Sequence, residues 1–121
     1  MKIGIMLRHY DQHGGGVKVY TKGLLPELLA LGTSHEFVLI YQNPSLVGNY
    51  RNFSNVREIA AKSKSKLIWD QVAVSRVAES EQLDLIFNPK YSLPLRVKCK
   101  TVLQMKYLPL PLRTCLRRLL I

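Results

Sequence analysis

The chain has 121 residues, 47% of them hydrophobic, and a formal charge of +10; this is one modest domain with enough apolar residues for a core, which excludes a disordered polyelectrolyte. The charge is uneven, since residues 1–95 hold eleven Lys/Arg against eight Asp/Glu while residues 96–121 hold seven Lys/Arg and no acid. Cys99 and Cys115 are the only cysteines, with no C-x-x-C pair and no histidines at ligand spacing, so neither a zinc site nor a disulfide framework is indicated.

The opening run Ile3-Gly4-Ile5-Met6-Leu7 reads as a buried strand, too short for a signal-peptide core, and no later run approaches the ~20 apolar residues of a membrane span. The expected setting is therefore a reducing, cytoplasmic one. After the strand comes His13-Gly14-Gly15-Gly16-Val17. Glycines lack Cβ atoms, so such a loop can take positive φ and let an anion approach its N–H groups, while the helix that follows points its positive end at the same spot. The same loop also reads as a tight strand-to-helix turn that binds nothing.

Val17, Tyr20, Leu24, Leu28 and Leu31 recur at helical spacing and predict a helix from near Val17 to Gly32. Pro26 within it predicts a kink or split near Gly23. Glu36–Tyr41 is a near-continuous apolar run, the mark of a strand buried on both faces. Residues 43–55 read as a surface loop, Val56–Ala60 as a weaker strand, and Lys62-Ser63-Lys64-Ser65-Lys66 as a solvated linker. Leu67, Ile68, Val72, Val77 and Ala78 around a core-facing Trp69 predict a second helix ending at Glu79-Ser80-Glu81. Leu83–Phe87, stopped by Asn88-Pro89, and Thr101–Leu103 complete the strands.

This alternation predicts an α/β, Rossmann-like, mostly parallel doubly wound sheet over residues 1–104, with residues 105–121 as a basic tail outside the fold. Ligands of such sheets sit beyond the carboxyl ends of the strands. Three segments reach that edge and form one cleft if the strand order is the usual one: Arg8 to Gly16, Tyr41 to Asn43, and Asn88 to Leu93. A dinucleotide fingerprint fails, because Val19 stands where a glycine or alanine is needed and no acid follows the second strand. A P-loop is excluded because no Gly-Lys-Ser/Thr follows the glycines.

The opening strand, the Gly14-Gly15-Gly16 loop, Val17-Lys18-Val19-Tyr20 leading into a leucine-rich helix, Leu83–Pro89 and Lys100-Thr101-Val102-Leu103 together resemble the amino-terminal domain of family 4 GT-B glycosyltransferases over residues 1–104. The resemblance implies an acceptor-side domain of an enzyme that moves a sugar from a nucleotide-sugar donor to an acceptor hydroxyl in a cleft against a second domain. It implies that the backbone of Gly15 and Gly16, with Gly14, approaches the donor diphosphate or the transferred sugar, and by their place near the strand ends Arg8, His13, Lys18, Asn88 and Lys90 are candidates to line the cleft. Arg8 and Lys18 also read as ordinary solvated cations. No resident cofactor or metal is implied.

The sequence departs from the family at the last strand, where a His-Asp pair is common and Gln104-Met105-Lys106-Tyr107 stands instead, so no catalytic residue carries over. His9 and His13 lack an identified carboxylate partner and read as solvated loop side chains; His35 reads as turn chemistry. The chain also ends before a donor-binding domain, so the expectation is a truncated product, inactive alone, whose residues from about 105 onward are foreign to the fold. A competing, non-catalytic reading rests on the tail: Arg113 and Arg117 against Leu112, Leu116, Leu119 and Leu120 suit a short basic helix on an anionic membrane surface. Nucleic acid fits less well. No aromatic follows Tyr107 for stacking, leaving only salt-sensitive polyanion attraction.

Overall fold

The short apolar runs become five strands. The computed structural model describes residues 1–11, 16–89 and 94–103. In it β1 (Lys2–Met6), β2 (Glu36–Tyr41), β3 (Val56–Ala60), β4 (Leu85–Asn88) and β5 (Lys100–Leu103) form one sheet in the order β3-β2-β1-β4-β5. Every neighbouring pair is parallel. Residues 104–121, and with them the expected tail helix, lie outside the described residues.

Period-two alternation divides the core into two faces. Ile5, Leu39 and Tyr41 pack with Leu25 and Leu29 of α1 (Gly16–Leu31), while Met6, Val38, Ile40 and Ile86 pack with Trp69, Val74 and Ala78 on the other side. With α1 on one face and the helix after β3 on the other, the fold is α/β, doubly wound and Rossmann-like. The β2–β3 connection returns on the α1 side through one 3-10 turn, Pro44–Leu46, and lays Leu46, Val47, Tyr50 and Phe53 against that core. It is a packed layer, where the composition suggested only a surface loop.

The glycine helix begins at Gly16, one residue ahead of the expected start, and runs unbroken past Pro26 to Leu31. The expected split near Gly23 does not occur. Pro26 and Lys22 are both exposed, so the carbonyl that loses its helical partner lies on the solvent side of the helix, where the loss costs least.

The second helix, α2, is composite: an α turn at Lys66–Ile68, a π turn at Trp69–Ala73 and an α segment at Val74–Ser80. Ser65 caps it, its hydroxyl accepting from the Ile68 N–H at 3.1 Å, so the lysine-serine run ends as a helix cap rather than as a plain linker. Within the π turn the Val74 N–H donates to the Trp69 carbonyl, five residues back. The extra residue re-phases the helix so that Trp69 and Asp70 before it and Val74 and Ala78 after it are all buried.

At the amino edge of the sheet the Lys2 N–H donates to Asp84 Oδ2 at 2.7 Å, and Glu81 Oε2 takes both Lys2 Nζ and Arg57 Nη1 at 3.3 Å. Gly4 lets the exit of α2 pack close, since a Cβ there would stand 2.5 Å from Leu83 Cδ1. Between β4 and β5 the described residues 94–99 contain no helix; Val97 and Cys99 cross the α2 face instead.

Candidate functional site

The strand order fixes where a ligand belongs. From β1 the chain winds outward to β2 and β3, then crosses back to β4, so the direction of winding reverses between β1 and β4 and the crevice opens above their carboxyl ends. Four described parts meet that edge: the turn Arg8–Asp11 that follows β1, the first turn of α1, the π turn of α2, and Asn88-Pro89 at the end of β4.

Arg8 reaches α2. Its Nε donates to Asp70 Oδ1 at 3.0 Å and its Nη2 to Asp70 Oδ2 at 3.2 Å, a forked pair whose side chains are 12% and 7% exposed. The π turn presents Asp70 here. Arg8 is therefore not an ordinary solvated cation. A carboxylate matches its charge, and the pair ties the loop after β1 to the opposite helix layer.

Asn88, the last residue of β4, is buried one step beyond the Ile5–Phe87 pair. Its amide carries both a donor and an acceptor at the switch point. Across from it α1 begins with Gly16, whose N–H belongs to the open first turn, and that turn holds no acid to neutralise the helix end. Lys18, half-buried, stands in the same turn. Gly16, Lys18, Asn88 and the Arg8–Asp70 pair thus come to one edge by topology. His13, Gly14, Gly15 and Lys90, and the side chain of His9, lie outside the described residues.

Beside this crevice, above β2, stands a cluster that sequence reading passed over. Tyr41 donates to Glu58 Oε1 at 2.9 Å, the Gly48 N–H donates to Glu58 Oε2 at 2.9 Å, and the Tyr10 and Tyr50 hydroxyls lie 2.6 Å apart. Gly48 has φ +112°, a conformation that needs glycine. The Tyr10 and Tyr41 rings meet edge to face at 6.2 Å. Burial pushes both phenols well above the usual tyrosine range, reinforced at Tyr10 by Tyr50 and at Tyr41 by Glu58. They stay protonated at neutral pH and wall the site rather than act as bases. The signal was present in the aromatic pair Tyr50 and Phe53 inside a loop that otherwise reads as polar. Asn43, expected at the cleft, caps the Pro44–Leu46 turn through Ser45.

Among the described residues no three of His, Cys, Asp or Glu group to hold a metal, and no helix is long and apolar enough to cross a membrane. The chain matches no protein-family model and no curated protein.

Proposed function

We propose that this chain forms the acceptor-side, amino-terminal domain of a GT-B-type glycosyltransferase, which moves a sugar from a cytoplasmic nucleotide-sugar donor to an acceptor hydroxyl in a cleft against a donor-binding domain. One observation carries the reading: an all-parallel β3-β2-β1-β4-β5 sheet whose switch point gathers an acid-free helix start, Lys18 and a buried Asn88. In this reading the first-turn N–H groups of α1 and Lys18 take negative charge from the donor side, since preformed dipoles stabilise a leaving phosphate without reacting. Asn88, buried at the end of β4, shapes the floor of the crevice on which a sugar would rest. Arg8 is a positioning residue, held by Asp70 and holding the loop.

Calorimetric titration of the intact chain with a panel of nucleoside-diphosphate sugars and neutral glycosides tests this. At least one compound binds, and Lys18→Ala weakens the diphosphate sugars by about fivefold, on the order of 1 kcal/mol. Asn88→Ala weakens the glycosides. A panel in which nothing binds, or binding indifferent to both substitutions, overturns the proposal. Affinity that collapses in moderate salt for every polyanion tested favours the tail-based polyanion reading instead.

A further inference from the structure

A groove lies away from the switch point, on the face of the sheet that α2 covers. In a doubly wound sheet the crossover between neighbouring parallel strands is normally a helix, and it covers the sheet beside the preceding one. Between β4 and β5 the described residues supply none. The flank of α2 and the irregular segment 94–99 instead border a groove of about 640 Å³. Its floor is apolar, from Ala78, Leu83 and Val97, and its rim carries Arg76, Arg96 and Lys98 against one carboxylate, Glu79. The apolar strip continues outward. Val72 is 42% exposed, and Leu95, whose N–H is held by Gln71 Oε1 at 2.9 Å, is 85% exposed.

We propose that this groove seats an acidic amphipathic helix of a protein partner, which covers the sheet where the described residues between β4 and β5 supply no helix. Its apolar side packs on Val72, Leu83, Val97 and Leu95, and its acids meet Arg76, Arg96 and Lys98. Charge selects the occupant. Three cations against one carboxylate at the rim favour an acidic partner over a second copy of this chain, which carries +10. The inference does not depend on the glycosyltransferase reading.

The test uses a fluorescein-labelled peptide of about 15 residues, roughly four helical turns, with leucines at i, i+3, i+4 and i+7 and glutamates on the other side. Controls are a scrambled peptide of the same composition and vesicles of anionic phospholipid. Two readouts are taken on the intact chain: anisotropy, and the alkylation rates of Cys99, which lines the groove, and Cys115, followed separately by mass spectrometry. The expected result is that the helical peptide binds and slows Cys99 but not Cys115. The scrambled peptide binds at least about tenfold more weakly, and Arg96→Glu with Lys98→Glu costs a similar factor. Val72→Asp weakens binding while leaving the urea midpoint near that of the parent, since the side chain is exposed. Equal binding by the scrambled peptide, an unchanged Cys99 rate, or protection of Cys99 by vesicles alone overturns the proposal.

Discussion

Arg8 and Asp70 are far apart in sequence, and no local pattern joins them. Their forked pair is nearly dry, so removing one partner strands the other charge. Asp70→Ala is expected to cost about 3 kcal/mol in urea denaturation, whereas Arg8→Met with Asp70→Leu together should return most of it. A double variant as unstable as the single one would show that the pair contributes more than charge compensation. The buried tyrosines set a different test. The folded chain holds the Tyr10 and Tyr41 phenols protonated to higher pH than the unfolded chain does, so their contribution is unchanged below pH about 10. It is lost as pH rises past that value, where the unfolded chain ionises first. Tyr41→Phe should therefore flatten the fall of the urea midpoint between neutral pH and pH about 11. Neither effect was legible beforehand. Arg8 reads as a surface cation because its partner depends on helix phase, and Tyr50 reads as loop because its partner Tyr10 is forty residues away.

Strand and helix runs were the most legible features, because a short continuous apolar stretch such as Phe37–Tyr41, rich in aromatic and branched residues and ended by Asn43-Pro44, reads as a strand covered on both faces. Val56–Ala60 came out as a strand with the expected bounds. The π turn was not legible: Leu67, Ile68, Val72 and Val77 satisfy an ordinary helical spacing, yet Leu67, Ile68 and Val72 are exposed while Asp70 is buried. The added residue shifts the phase by about 100°, which keeps Trp69 and Asp70 on the same buried side as Val74 and Ala78. Deleting the exposed Val72 should restore a plain α-helix and rotate Trp69 and Asp70 away from the side that Val74 and Ala78 cover. Either the Arg8 pair or the Val74 packing is then lost, at a cost on the order of 3 kcal/mol or more. Urea unfolding followed by Trp69 fluorescence reads it directly. An unchanged midpoint would mean that the helix phase is not set by that residue.

For the molecule as a whole, β2 and β1 at the sheet centre, buried on both faces, carry the fold, and the edges β3 and β5 are joined to it on one side only. The same order decides the site. A run of strands and helices predicts a doubly wound sheet, but only the crossover of α2 from β3 to β4 says that the ends of β1 and β4 flank the crevice. That is why the sequence points to Asn88 and the start of α1 but leaves open whether they share one edge, which the strand order decides. The most direct test is to record amide chemical shifts of the labelled chain during titration with a nucleoside-diphosphate sugar. Ligand at the switch point should move Leu7, Arg8, Gly16 to Lys18 and Asn88 together, leaving the 71–79 and 95–99 amides of the α2 groove in place. Shifts confined to that groove, or to the basic residues beyond Leu103, would contradict a site at the carboxyl edge of β1 and β4.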